Sequence, residues 1–415
     1  MCPVNTDFDI VILGGGLVGS SLACALDGRG YRVALVEGSL PRQSPPGFDE
    51  RKLALAAASV DALGRLGVLA HLSEPPSPIR RIHVSRQGDF GVVRLQAADV
   101  GRDAFGGVVP ARELGQALER RLADLADLEL LRPQTVCAIS DIESGICLQL
   151  QSIADKTAVT EASTTRVTTR LLVAADGTHS FARTALGIGS ERHDYLQTLL
   201  VCSLATDRPA DGGAFERFTS DGPVALLPMG RQYGAICAVP RDQADAVLAM
   251  DDAAYGDYFQ QRFGWRAGRI VRVGTRSAYP IAKVIADRIT ARRTILMGNA
   301  AQTIHPIGAQ GFNLGLRDAL GLADVLAGSG ADADSDPGSD ALLQSYRQMR
   351  SEDRERTLSF SDGLARATGN ASLPMHLLRS IGLIALANVP GLSAPLVSGA
   401  MGYRGRVSNL ARTIG

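Results

Sequence analysis

Residues 9–19 read Asp9-Ile10-Val11-Ile12-Leu13-Gly14-Gly15-Gly16-Leu17-Val18-Gly19, and after a helical stretch residues 31–37 read Tyr31-Arg32-Val33-Ala34-Leu35-Val36-Glu37. An apolar strand runs into Gly14-x-Gly16-x-x-Gly19, a helix opens there, and a second strand ends at Glu37. Each part has a physical job. Gly14 permits a tight turn, Gly16 lets the backbone approach a pyrophosphate, and Gly19 lets the helix pack on the strand. The helix N-terminus offers unpaired N–H groups and a positive dipole end to phosphates. Glu37 stands 18 residues beyond Gly19, near the spacing of about 20 at which a carboxylate reaches a ribose diol. Three glycines alone are weak evidence, since a plain Gly-rich turn has them too. With both strands, the helix and the acid in place, the stretch predicts a site for the AMP half of NAD or FAD. The carboxylate would repel a 2′-phosphate there.

The chain has 415 residues, 45% hydrophobic and 21% charged, with a formal net charge of zero. That length allows two or three domains and a large core. The even charge balance argues against a nucleic-acid partner, which needs a basic face. The start, Met1-Cys2-Pro3-Val4-Asn5-Thr6-Asp7, has no basic region followed by an apolar core and is not read as a signal peptide. Six cysteines are scattered without a Cys-x-x-Cys pair, as reduced thiols in a cytoplasmic protein are. The histidines show no metal-ligating spacing, so no metal site is expected.

Along the chain, residues 41–50 are rich in Pro, Ser and Gly and read as a loop, and residues 51–71 carry helical apolar spacing. Short strands and turns alternate over 79–96, a helix is expected over 112–126, and strands over 128–173 with a polar tip at 152–169. Residues 196–280 look strand-rich apart from a helical piece at 241–262. A buried strand at 294–297 leads to a second glycine-rich region at 298–315, with a helix from about Leu316. Residues 328–340 read as a solvated acidic linker, and the remainder as helical.

Two later motifs narrow the reading. In Leu171-Leu172-Val173-Ala174-Ala175-Asp176-Gly177 a strand delivers Asp176-Gly177 at its end, with His179 and Arg183 following. In residues 294–318 a strand ends at Gly298-Asn299, and a loop through His305-Pro306 reaches Gly311-Phe312-Asn313 and a helix. The three motifs, in this order and spacing, resemble the class A flavoprotein aromatic hydroxylases, with the para-hydroxybenzoate hydroxylase fold. The resemblance runs from about residue 8 to 325. Asn299 stands where most of that family has Asp, and the run 299–318 resembles the ubiquinone-biosynthesis branch, of UbiH type.

The resemblance implies an α/β fold: a Rossmann-like FAD-binding domain with a mixed-sheet substrate domain and C-terminal helices. The FAD-binding domain is then expected in three parts, 1–75, 105–187 and 291–327, with substrate-domain segments at 76–104 and 188–290 and a helical region at 341–415. By the same resemblance Gly14, Gly16 and Gly19 hold the AMP end of FAD, and Glu37 the adenosine ribose. Arg51 and Arg112 are expected at the diphosphate or ribityl chain; a surface ion pair is the plainer reading of either. Asp176 is expected to touch FAD and the transient NAD(P)H site, with His179 and Arg183 near it. Asn299 takes the ribityl or diphosphate role without a charge. Gly311, Phe312 and Asn313 are expected along the pyrimidine edge, where the helix dipole stabilises anionic reduced flavin. Pro306 faces the reactive side. His305 is either an acid or base there, or a histidine that anchors the loop.

The implied activity is an FAD-dependent monooxygenase. NAD(P)H reduces the flavin, oxygen adds at C4a to give a hydroperoxide, and its distal oxygen passes to a polyprenylated phenol such as 2-polyprenyl-6-methoxyphenol. A prenyl reductase of the same fold and a non-catalytic flavoprotein scaffold in a ubiquinone-biosynthesis complex are the alternatives. A halogenase is disfavoured, because Trp265 is the sole tryptophan and no Trp-x-Trp motif exists. Residues 380–403 carry no charge. Pro390 and Pro395 would break a spanning helix, so a peripheral contact with the inner face of the cell membrane is expected rather than a crossing.

Overall fold

In the computed structural model, residues 6–40, 51–153, 164–328, 336–369, 397–399, 401–402 and 408–411 are described. The first unit is β1 (Phe8–Leu13), α1 (Leu17–Ala25) and β2 (Val33–Val36), followed by β3 (Lys52–Ala56) and α2 (Ala57–Arg65). Then come β4 (Ser77–Pro78), β5 (Arg81–Arg86), β6 (Val92–Gln96), β7 (Gly106–Pro110) and α3 (Ala111–Ala123). Next are β8 (Leu128–Leu131), β9 (Gln134–Ile142), β10 (Gly145–Ser152), β11 (Thr164–Ala174) and the short α4 (Phe181–Ala185). A long run gives β12 (Ser190–Thr206), β13 (Gly213–Thr219), β14 (Gly222–Met229), β15 (Gln232–Pro240), α5 (Ala244–Leu248), α6 (Asp252–Phe263), β16 (Ile270–Val273) and β17 (Ser277–Ala286). The chain returns through β18 (Thr290–Ala291), β19 (Thr294–Leu296) and β20 (Gln302–Thr303) to α7 (Gln310–Gly328) and α8 (Asp340–Gly369).

Two large sheets result. In the first, β8, β2, β1, β11 and β19 lie side by side in parallel, with β18 antiparallel at one edge and β9–β10 extending from β11. Ile10, Val11, Ile12, Ala34, Leu172 and Val173 have no exposed surface. Such unbroken apolar strands are what a parallel sheet covered on both faces demands. The second sheet runs β20-β17-β12-β15-β14-β13-β5-β6. Its strands alternate. Val224 and Leu226 on β14 and Cys237 and Val239 on β15 are buried against Tyr255, Phe259 and Phe263 of α6. The opposite side carries Ala225, Leu227 and Ile236, all only half-buried. One face is therefore core, and the other is an apolar wall that mixes half-buried residues with the buried Val201, Ala214, Phe218 and Ala238.

Three expectations need correction. Residues 52–56, expected in a helix, form β3, paired from Lys52↔Pro110 to Ala56↔Gly106. The run Leu53-Ala54-Leu55-Ala56-Ala57 satisfies both periods, and pairing with β7 decides it. The second long helix begins at Gln310 rather than near Leu316. Gly315 serves close approach: a Cβ there would lie 2.7 Å from Val18 Cγ2 of α1. Asp336, expected in a solvated linker, is half-buried and bound by Arg293 at 2.7 Å, with Arg170 beside it at 3.6 Å. Those arginines hold its carboxyl below the usual range despite the opposing effect of burial. Residues 329–335 of that linker, most of the polar tip at 152–169, and Pro390 and Pro395 lie outside the described residues. Among the described residues no helix is long and apolar enough to cross a membrane.

The C-terminal helices are bolted on by charge. Asp318 of α7 is buried and accepts from the Gly298 N–H at 3.2 Å, Gln302 Nε2 at 2.7 Å and Arg350 Nε at 2.8 Å. Arg350 also reaches Asp353 at 2.8 Å, which Arg317 holds at the same distance. Burial disfavours the charge on Arg350, but Asp318 and Asp353 keep it ionised. Breaking such a pair strands a buried charge and costs about 3–5 kcal/mol. Asp318→Ala is expected to lower the unfolding free energy by about 3 kcal/mol, read as a drop in the urea midpoint; an unchanged midpoint would refute this account.

Candidate functional site

The C-terminal ends of β1, β11 and β19 point the same way, and a loop leaves each. The first is the glycine turn. Gly14 has φ +104°, and a Cβ there would lie 2.6 Å from the Ala175 carbonyl of the second loop. Only glycine fits that turn at that contact. A Cβ on Gly19 would sit 2.0 Å from the Gly14 oxygen, which explains the third glycine by packing alone. Glu37, at the end of β2, folds over the turn: its Oε2 accepts from the Gly15 N–H at 2.7 Å, and its Oε1 from the Ser39 N–H at 2.8 Å and the Ser39 hydroxyl at 2.7 Å. The carboxylate is thus fixed beside the N-terminus of α1, which has no side-chain cap and no acid in its first turn.

The second loop holds Asp176. Its Oδ2 accepts from the Ala182 N–H at 3.1 Å, while its Oδ1 is buried with no hydrogen-bond partner. A buried carboxylate oxygen without a donor is costly, and it marks a place where a ligand's donor belongs. Arg183 does not reach outward. It is buried, and its guanidinium donates to the Ala300 and Thr178 carbonyls, both at 2.9 Å, tying the second loop to the third. His179 is exposed. In the third loop Gly298 is held by Asp318 and Asn299 is exposed.

The loop from Ile304 to Gln310 leads from β20 of the second sheet to α7. His305 is buried, with Nε2 3.3 Å from Gln197 Oε1 on β12 and Nδ1 accepting from the Ile307 N–H at 3.3 Å. Its ring meets Tyr195 edge-on at 4.7 Å. Burial pulls its pKa down to about 4, against a small opposing pull from Asp362. This is the geometry of a loop-anchoring histidine. Pro306 leads the turn that follows. Helix α7 then starts with no acid in its first turn. The Asn313 side chain is fully engaged: Oδ1 accepts from the Ala56 N–H at 2.9 Å and the Ser59 hydroxyl at 2.7 Å, and Nδ2 donates to the Ala54 carbonyl at 2.9 Å. Its side chain pins α7 to β3, and only its backbone remains for a ligand. Phe312 packs against the core of the first sheet.

Arg51 and Arg112 come together, because the Ala111 N–H donates to the Arg51 carbonyl at 2.9 Å. The Arg51 guanidinium lies 5.7 Å from the Tyr279 ring centre on β17, within cation–π reach. A Cβ added at Gly16, Gly177 or Gly311 would meet nothing within 4 Å. These glycines face open space that a bulky ligand can fill. The uncapped N-terminus of α1, the start of α7 with no acid in its first turn, Glu37 at the end of β2 and the orphaned Asp176 oxygen fit a dinucleotide bridged by a diphosphate. Sequence reasoning brought the glycines, Glu37, Asp176 and Asn299 to one groove. It assigned no role to Asp318, Gln302 or Arg350, whose signal is only their burial.

Residues 7–361 match the family model described as FAD binding domain. Over 396 residues the chain is 33% identical to the ubiquinone hydroxylase UbiL of Rhodospirillum rubrum, covering 95% of this chain and 89% of that protein. It is 28% identical over 408 residues to 3-demethoxyubiquinol 3-hydroxylase of Escherichia coli, covering 96% and 99%. Among solved structures, p-nitrophenol 4-monooxygenase PnpA of Pseudomonas putida has a TM-score of 0.77 at 17% identity, over 96% of this chain and 98% of that one. That likeness bears on the fold.

The Glu37 geometry yields a direct test. Hydrogen bonds to a charged acceptor contribute about 1.5–3 kcal/mol, so Glu37→Ala should weaken FAD binding by about ten- to a hundredfold. Flavin fluorescence titration of the apo-protein reads this. An unchanged affinity would remove Glu37 from the ribose position.

Proposed function

This chain belongs to the FAD binding domain family as an FAD-dependent monooxygenase, and we propose that it hydroxylates a polyprenylated phenol in ubiquinone synthesis. The substrate we put first is 2-polyprenyl-6-methoxyphenol. The observation that carries this reading is the half-open apolar face of the second sheet. Ala225, Leu227 and Ile236 turn away from α6. The His305 loop, which ends at the start of α7, packs on that same side through Gln197. A chamber with an apolar wall on one side and a flavin on the other suits an aromatic ring with a prenyl tail. The relatives named as ubiquinone hydroxylases, matched over 89% and 82% of their length, support the same class.

Bound FAD supplies the redox chemistry, taking electrons from NAD(P)H and activating oxygen for transfer to an electron-rich ring carbon. The chain's own residues do the rest. Glu37 accepts from the adenosine ribose, and the N–H groups of α1 meet the diphosphate. Arg51 and Arg112 flank the ribityl and diphosphate region opposite. Asp176 Oδ1 takes a donor from the cofactor, and Asn299 contributes a neutral amide beside it. The N-terminus of α7, with Gly311 leaving room, would stabilise negative charge on the reduced ring. Pro306 lies at the substrate side. Closure of the chamber by the second sheet excludes water.

NAD(P)H consumption by the purified holoenzyme separates the readings. With a short-chain prenylated phenol present, consumption should rise and one atom of labelled oxygen should enter the ring. Saturation of a prenyl double bond would favour a reductase, and a protein that retains no flavin would favour the scaffold. The tail of the proposed substrate resides in the bilayer, so we further propose a peripheral contact with the membrane surface. In fractionated cells, release by carbonate or high salt is expected. Extraction by detergent alone would overturn that contact.

A further inference from the structure

We propose that Glu216 is the catalytic base of this site, the carboxylate that takes the proton from the substrate's phenolic hydroxyl. The inference rests on the phenol reading above and names the residue acting on it. Glu216 lies in the middle of β13, opposite Ala225 of β14 and Val84 of β5. Paired residues in a sheet point to the same side, so Glu216 belongs to the half-open wall that faces the His305 loop. The other residues on this side of β13 and β14 are Ala214, Phe218, Pro223, Ala225, Leu227 and Met229, all apolar. One carboxylate in the middle of such a wall is expensive, and it marks a functional position.

The backbone N–H of Gly308 is near enough to favour the ionised carboxylate. Gly308 lies two residues before α7, whose N-terminus closes the flavin groove. The acid therefore stands where the apolar wall and the cofactor loop converge. Burial raises its pKa from 4.5 to about 7, with the Gly308 N–H opposing. An ordinary glutamate is a poor base toward a phenol of pKa about 10, and this shift narrows the gap to about three units. Charged and titratable groups from the surrounding elements are otherwise engaged. Arg86 of β5 is 3.5 Å from Asp89, and Lys52 of β3 runs along Gly234. His305 is bound to Gln197, and Asp362 of α8 is held by Lys283 at 2.8 Å.

The step balances simply. The substrate O–H bond breaks and an O–H bond forms on Glu216. The ring oxygen keeps the electron pair, and the negative charge passes from carboxylate to phenolate. That pair enriches the ring carbon that receives oxygen. When that carbon sheds its hydrogen to water, Glu216 returns its proton to the ring oxygen.

The test uses FAD-loaded full-length protein without NAD(P)H, titrated with a phenol bearing a short ortho-prenyl chain and with its methyl ether. Flavin absorbance reads binding. An ionised acceptor forms the stronger hydrogen bond. Phenol affinity of the wild type should therefore rise about tenfold as pH passes upward through about 7. The ether should show no such step, and Glu216→Gln should abolish it while binding the ether normally. In turnover, Glu216→Gln should slow ring hydroxylation about a hundredfold and Glu216→Asp should restore part of it. A pH step that survives in Glu216→Gln overturns the assignment and leaves the hydroxylase reading standing. A step lost in the variant, in a protein that binds the phenol yet never oxygenates it, supports the Glu216 contact and overturns the hydroxylase reading. A wild type that binds no phenol overturns both.

Discussion

Asp318 is the point through which the two halves of the cofactor groove are held together. Its two carboxylate oxygens serve the Gly298 N–H, the Gln302 amide and the Arg350 guanidinium. Those partners come from the third cofactor loop and from α8, and Asp318 itself belongs to α7. A carboxylate so placed could not stay charged in an apolar interior without a cation, and Arg350 could not stay buried without carboxylates. Each makes the other tolerable. The loop that carries Asn299 therefore owes its position to a helix that begins at residue 340, far outside the glycine motifs. Arg354 adds to this, donating to Gln302 Oε1 at 2.8 Å and to the Ala286 carbonyl at 3.2 Å. The C-terminal helix is thus part of the cofactor site's frame.

The second sheet solves a different problem. Its α6 side is closed by aromatic packing, with Phe215, Phe259 and Phe263 in mutual contact at 5.8 Å between successive ring centres. A sheet rigidified from behind can leave its other side half-open without collapsing onto the cofactor layer. Arg262 reinforces the back, donating to the Ala238 carbonyl at 3.0 Å and to the Thr219 hydroxyl at 3.1 Å.

What the sequence made legible follows from how local each signal is. The glycine turn, Glu37 and the Asp176 strand end are set by neighbours in the chain and by a strand period, so their geometry was readable. The strand β3 was not, because Leu53 and Leu55 suit a helix as well as a strand, and only pairing with β7 separates the two. The start of α7 was misplaced because Gly311 and Gly315 look like loop residues, and only the approach of α1 to Gly315 shows that the second of them is a packing glycine. Asn313 appeared as a cofactor residue from its motif. Its side chain proves to be the pin between α7 and β3, a distance of more than 250 residues along the chain. Glu216 gave no signal at all, since a single acid in the alternating pattern Gly213–Thr219 looks like an ordinary outward-facing residue. Only the assignment of that side of β13 to the interior makes it unusual.

The loop from Ile304 to Gln310 shows why the two parts act as one site. It runs from β20 of the second sheet to α7, and its hold on the second sheet is made by an uncharged imidazole. Because burial keeps the His305 pKa near 4, the ring stays neutral across the physiological range, and its contacts with Gln197 and Tyr195 do not change with pH there. The loop is therefore a fixed distance-keeper between wall and cofactor. A group that must exchange protons has to lie beside such a keeper rather than within it. Were His305 the acid–base group, each cycle would charge the ring that anchors the loop and disturb the spacing on which transfer depends. Anchoring and proton transfer are incompatible duties for one side chain. The buried ring is engaged on both nitrogens.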